Sequence, residues 1–322
     1  MEERSRWRAL ARRWVPWLVA ATVLGLLFVR YPPGDIADAM SSGEALAVVP
    51  WCALVAVLGL AAMSLADWLV FSAFAAGLRW FDVVRGRAGT TILMTLHYGV
   101  SVGGYGVWLA RKTGAGAAAS SAAIGYQMVS DLCALSWFAI GSALLWGDGL
   151  PRRDLVIALC GACAVVATLL LLVGARVVPR RLGGFARAWR SIPPARSAAS
   201  LGFRVIALGI NVGGTIAAAR AFGLDIPAGA MAAGLPVIYV VGALPLNVLG
   251  LGAVTAAWVA VFARFASGAE ILAFQFLYQA LSIAMTVARG LPFLPSVLRD
   301  IARDDTRVER PRDRGVEGPN PT

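Results

Sequence analysis

The chain has 322 residues, 59% hydrophobic and 15% charged, with a formal net charge of +11. A soluble protein of ordinary composition carries about 25% charged residues, and here the apolar residues gather in runs near or above the ~20 needed to cross a hydrocarbon core of roughly 30 Å. That excludes a separate soluble enzyme domain, and because the basic residues fall between apolar spans they read as topology determinants and anionic-lipid contacts, with no nucleic acid as partner.

Residues 1–13 form a basic N-terminus holding Arg4, Arg6, Arg8, Arg12 and Arg13. The apolar run Trp14–Val29 follows and ends at Arg30-Tyr31-Pro32-Pro33 without a small-residue cleavage pattern, so it reads as a retained first span. The second span is expected over Leu46–Ala76, returning to Arg79, Arg85 and Arg87 on the cytoplasmic side. Next comes Thr90–Ala110, an apolar stretch broken by Tyr98-Gly99-Val100-Ser101-Val102-Gly103-Gly104 and closed by Arg111-Lys112. Basic residues at both ends predict a re-entrant hairpin, since a full crossing would place Arg111 and Lys112 outside.

Ala117–Trp146 is the third span and Leu155–Val177 the fourth. Arg176–Arg196 is an arginine-rich cytoplasmic loop without an acidic residue. Leu201–Ala219 is the fifth span. The second broken stretch is Ile226–Phe265, interrupted at Gly242-Ala243-Leu244-Pro245-Leu246-Asn247 and again at Gly250-Leu251-Gly252. It enters from the outer side. Ile271–Ala288 is the last span, and Arg299–Thr322, which mixes Arg with Asp, Glu and Pro, is expected to be disordered. The expected fold is therefore an all-α polytopic helical membrane protein with about six full spans and two re-entrant hairpins arranged as inverted repeats. Residues 14–298 form the membrane domain, in the inner (cytoplasmic) cell membrane, with both termini cytoplasmic.

Irregular backbone at bilayer depth survives only where protein or a watery cavity satisfies its polar groups. Paired broken segments in matching halves point to a midplane site. Gly103, Gly104, Pro245, Asn247, Gly250 and Gly252 are accordingly placed near a substrate-binding cavity, with glycines allowing unusual backbone angles and Pro245 freeing a carbonyl. A charge at a helix centre costs about 2.5–3.5 kcal/mol, which singles out Asp67, Asp131 and Arg204. An Asp–Arg pair across the bundle would lower that cost; the alternative is a purely structural ion pair, or snorkelling for Arg204. His97, the single histidine, lines the cavity, relays protons or packs by hydrogen bonding. No metal site and no cofactor are expected, and no catalytic residue is assigned. Cys52, Cys133, Cys160 and Cys163 lie in apolar runs and read as small helix residues.

Three places resemble the transmembrane region of lysylphosphatidylglycerol synthases and the stand-alone flippase-like membrane proteins related to it. Arg79-Trp80 is similar to that family's Arg-Trp. The stretch from His97 through Gly104 to Arg111-Lys112-Thr113-Gly114, with Asp131 beyond, resembles its Pro-x-Arg-x-Gly-Glu and Glu-Arg-x-x-Asp elements. Leu244-Pro245-Leu246-Asn247-Val248-Leu249-Gly250-Leu251-Gly252 resembles its Pro-x-x-Pro-Gly-Gly-Leu-Gly-x-x-Glu. The departures are Tyr105 for a Glu, Trp108 for an Arg, Gln127 and Met128 for Glu-Arg, Val248 for a Pro and Thr255 for the last Glu. The resemblance implies movement of a lipid with a polar head between leaflets, with membrane lipids as partners and Arg79, Arg111 and Lys112 attracting anionic heads. The synthases also carry a soluble aminoacyl-transfer domain, so aminoacyl transfer by this chain alone is not expected. The other expectation is an accessory subunit or membrane-embedded transferase beside a neighbouring enzyme of lipid or glycan synthesis, which would need Asp67, His97 and Asp131 clustered.

Overall fold

The computed structural model describes residues 21–302 apart from 43, 74, 76, 96–97, 148–152, 178–182, 244–246 and 249–250. The protein is an all-α polytopic membrane protein. Five helices are long and apolar enough to cross a membrane: α3 (Ala45–Phe71), α6 (Ala117–Trp146), α7 (Arg153–Val177), α9 (Pro194–Ala221) and α12 (Gly268–Gly290). They match the second to sixth expected spans. The first is described only from Ala21, as the helix α1 (Ala21–Arg30).

Local chemistry sets several of the helix ends. Ser267 accepts a hydrogen bond from the Glu270 N–H at 3.2 Å, and the Glu270 carboxylate accepts from the Ser267 N–H at 2.9 Å. This reciprocal pair starts α12. Pro194 occupies the first turn of α9, where its missing N–H has no partner to lose. That helix stops at Gly223, whose φ of 92° favours glycine. There the Leu224 and Gly223 N–H groups bond back to Ala219 and Arg220.

Burial differs from that of a soluble protein at the outer surface and in the polar groups held inside. Leu159, Val165, Val166, Leu169 and Leu172 of α7 are exposed, whereas Ser64, Asp67, Ser130, Ser200, Arg204 and Thr215 are buried. Apolar side chains on the outside, with polar groups paired inside, is the pattern a hydrocarbon solvent imposes. The helices α3 and α9 form the central antiparallel pair: Arg196 donates to Ser72, and Ser200 donates to the Ala66 carbonyl at 2.9 Å.

Two helical hairpins complete the bundle. The first joins α4 (Trp80–Thr91) through a 3₁₀ turn (Ile92–Thr95) to α5 (Tyr98–Thr113). Its arms run antiparallel. Asp82 meets Lys112 at 3.1 Å, Gly86 faces the Trp108 ring, and Ser101 donates to the Thr90 carbonyl at 3.0 Å. Arms of 12 and 16 residues reach about 18 and 24 Å at 1.5 Å per residue, short of a full crossing. Both ends therefore emerge on one side. The interruption differs from expectation: Tyr98–Gly104 is regular helix, and the break lies before it, its described part being the 3₁₀ turn Ile92–Thr95. Gly103 and Gly104 adopt no positive φ, and Gly104 instead lets Leu93 approach. Thr90 and Ser101, not glycine backbone angles, hold the arms across the turn.

The second hairpin joins α10 (Ala228–Ala243) to α11 (Ala253–Phe262) through two paired dipeptides, β1 (Asn247–Val248) and β2 (Leu251–Gly252). Asn247 pairs with Gly252, whose φ of 96° requires glycine. The arms are again antiparallel, with Gly234 against Val261 and Phe262 and Gly242 against Val254. The expected interruption of Ile226–Phe265 is found at Asn247–Val248 and Leu251–Gly252, whereas Gly242 and Ala243 are still helical and 244–246 and 249–250 lie outside the described residues.

The hairpins meet α6 from opposite ends. Gly106 of α5 packs on Ile124 near the α6 N-terminus, and Gly229 of α10 packs on Trp146 at its C-terminus. Each has its own apolar core. One gathers Tyr105, Trp108, Tyr126 and Val297; the other gathers Leu235, Ile238, Trp258 and Phe274. Two short amphipathic helices, α8 (Gly183–Arg190) and α13 (Leu294–Ala302), close the first hairpin's end. The loop expected over Arg176–Arg196 thus contains a helix, held by Trp189 and Phe185 against Tyr126 and Gly125. Arg299–Ala302, expected in the tail, belongs to α13, which Asp300 ties to Arg85 at 3.3 Å.

Candidate functional site

Four charged side chains from four helices meet inside the bundle. Asp67 lies near the end of α3 with no exposed surface. It accepts from Arg204 Nη2 at 2.8 Å, from Arg87 Nη1, and from the Tyr105 hydroxyl at 3.2 Å. Arg204, 1% exposed, extends its other terminal nitrogen to Asp131 Oδ1. Two guanidinium groups thus face two carboxylates, and the local charge is zero. Such a network persists away from water because each charge has an opposite one beside it.

The two carboxylates have different surroundings. Asp67 is sealed, with three donors. Asp131, at the midpoint of α6, has a side chain 30% exposed and one donor, Arg204. Arg87 is the other member that reaches the surface, at 17% exposure. One helical turn before Asp131, the Gln127 side-chain oxygen is buried with no hydrogen-bond partner. The network is thus closed at Asp67 and open at Asp131.

Of the residues expected at a site, the structure joins Asp67, Asp131 and Arg204, including the Asp–Arg pair across the bundle. Gly103 is exposed on α5 and Gly104 lies within the hairpin packing. Arg111 is exposed at the base of that hairpin. Asn247 and Gly252 sit at the tip of the other hairpin. His97, Pro245 and Gly250 lie outside the described residues.

Two members were not anticipated. Arg87 was placed on the cytoplasmic surface but is turned into the bundle against Asp67. The small residues around it, Gly86, Ala88 and Gly89, all buried, are the signal of a tightly packed helix. Tyr105 entered only as a departure from a family pattern, and its hydroxyl joins the network. Among the described residues no group of three or more His, Cys, Asp or Glu side chains gathers as a metal site. No family model and no curated protein matches the chain.

Proposed function

We propose that this membrane protein binds an amphipathic lipid with a phospho- or polyprenyl-linked head and passes it between leaflets. The observation that carries this reading is the buried charged network that opens at Asp131, halfway along a membrane-spanning helix. A partly exposed carboxylate at that depth is costly unless something polar visits it. The two hairpins that approach α6 from opposite ends supply the broken backbone that such sites use. Apolar walls would hold acyl chains while the polar groups stabilise the head during passage.

We further propose that the chain is a divergent relative of the lysylphosphatidylglycerol synthase transmembrane region, in the inner membrane with both termini cytoplasmic. Charge placement supports this orientation. Exposed Arg79, Arg111, Arg187, Arg190, Arg196 and Arg299 cluster at the first hairpin's end of the bundle, whereas at the other end Arg30, Arg153, Arg220 and Arg264 are offset by Asp35, Asp38, Asp154, Asp225 and Glu270.

A leaflet-resolved assay with fluorescent phospholipids in reconstituted vesicles tests the proposal. The wild type is expected to speed exchange, and the Asp131→Ala/Asn247→Ala double variant to lose most of that gain. Equal rates for the two proteins would remove the proposed site.

A further inference from the structure

One acceptor beside the charged network has no donor. Gln127 is 9% exposed, and its side-chain Oε1 is buried with no hydrogen-bond partner among the described residues. A buried acceptor left unpaired costs more than an ordinary hydrogen bond gains. Gln127 precedes Asp131 by four residues in the unbroken helix α6, so the two side chains lie one above the other on a single face. Gln and Asp at this spacing reach each other with a hydrogen bond. Here both present acceptors. An ionised carboxylate only accepts, and Asp131 Oδ1 takes Arg204 while Oδ2 takes no donor among the described residues. One hydrogen atom between the two side chains would satisfy the Gln127 oxygen, and a carboxylic acid carries that atom.

The network can take a proton at Asp131 but not at Asp67. Asp67 is sealed and holds Arg204, Arg87 and Tyr105 together, so its neutral form would strand two guanidinium groups. Asp131 has a side chain 30% exposed and pairs with Arg204, which keeps Asp67 when that pair breaks. The other groups on the helices around α6 are already engaged. Tyr105 of α5 is bonded to Asp67, and Tyr239 of α10 lies by Thr215. α7, which carries Cys160 and Cys163, meets this stretch through Thr168, 3.5 Å from Cys133. Arg187 and Arg190 of α8 are exposed, and Trp189 packs on Tyr126, whose hydroxyl pairs with Ser197.

We propose that Asp131 and Gln127 form a proton-binding pair, and that a proton taken up there accompanies lipid passage. A hydronium ion at the exposed edge of Asp131 gives its proton to Oδ2 and leaves as water. The new O–H donates to Gln127 Oε1, and the ion pair with Arg204 gives way while Arg204 stays on Asp67. Return of the proton to water restores the pair. Uptake takes the local charge from zero to plus one, so proton binding and the arrival of a negatively charged head strengthen each other by linkage. The coupling rests on the lipid-passage reading above and adds the ion that drives it. The proton pair itself stands on the geometry of α6.

The test uses the full chain in phosphatidylcholine nanodiscs, titrated over about pH 5 to 9 and followed by infrared difference spectroscopy. This reads the pair without any transport. The wild type is expected to gain the C=O stretch of one protonated carboxylic acid as the pH falls. Heavy-carbon labelling of aspartate should move that band, an assignment that needs no variant, and Asp131→Asn should lack it. Gln127→Met keeps the volume and removes the acceptor. It weakens only the protonated form, so the band should rise in frequency and its midpoint should fall by about half to one pH unit, the size of one hydrogen bond. A merely structural glutamine would leave both unmoved.

No aspartate band across the range, a band that survives in Asp131→Asn, or an unchanged band and midpoint in Gln127→Met overturns the pair. So does a band that follows sodium at fixed pH and ignores pH, which would make the site one for a metal cation. Leaflet exchange across an imposed pH difference then tests the coupling: the wild-type rate is expected to follow the direction of the difference, and the Asp131→Asn rate to ignore it. Wild-type exchange that ignores the difference overturns the coupling. A titrating pair without any exchange removes lipid passage and leaves the proton pair standing.

Discussion

Asp67 and Asp131 are the same residue type in one network, yet they should respond differently to the loss of charge. Asp67 holds three donors and is fully buried. Removing its charge strands Arg87 and weakens Arg204, and breaking a buried pair typically costs about 3–5 kcal/mol. Asp131 is partly exposed and holds one donor, so its loss leaves Arg204 still paired with Asp67. The expected order of destabilisation is therefore Asp67→Asn well above Asp131→Asn, checked by thermal unfolding in detergent. Equal losses would mean that Asp131 is as structural as Asp67, and its proposed role in lipid passage would go. The identities of the acidic pair and of Arg204 were legible in the sequence because a charge inside an apolar run stands out against its neighbours. Arg87 was not, because it follows Arg85 in a short polar segment. Only packing reveals which of two such arginines turns inward.

The helical hairpins act as units. In the first, a Cβ added at Gly86 would lie 2.5 Å from the Trp108 ring, so the arms can approach this closely only with glycine there. Gly86→Ala should force the arms apart at a cost of about 1–3 kcal/mol, as overpacking does. A companion Trp108→Leu substitution should restore part of the loss in the same unfolding measurement. No recovery in the double variant would show that the damage lies elsewhere than in arm spacing. The two breaks were unequal as sequence signals. In the second break Gly252 marks the non-helical tip through its φ of 96°, Gly242 is still helical, and Pro245 and Gly250 lie outside the described residues. The glycines of Tyr98–Gly104 misled, because a glycine in a helix is tolerated when a neighbour packs close, as Leu93 does on Gly104. The described part of the actual connection, Ile92–Thr95, contains no glycine or proline.

For the whole molecule, the first hairpin makes a topological statement. Its two ends, Arg79 and Arg111, emerge on the same side, together with Arg187 of α8. Single cysteines at these positions, in a background where Cys52, Cys133, Cys160 and Cys163 are replaced by serine or alanine, should react with an impermeant thiol reagent from one face of oriented vesicles. A cysteine at Arg220 should react from the other face. Labelling of positions 79 and 111 from opposite faces would make the hairpin a full crossing and dissolve the paired arrangement of the two hairpins.

Span length and hydropathy determined, from the amino-acid order alone, that the chain lives in a bilayer and roughly where five of its crossing helices begin and end. Those properties are summed over neighbours along the chain, so no tertiary partner is needed to read them. Tertiary structure alone decided that Asp67, Arg87, Tyr105, Arg204 and Asp131 form one network. The physical reason is that a side-chain charge acts over a few ångströms in three dimensions, and the groups within that reach lie up to 137 positions apart in the chain.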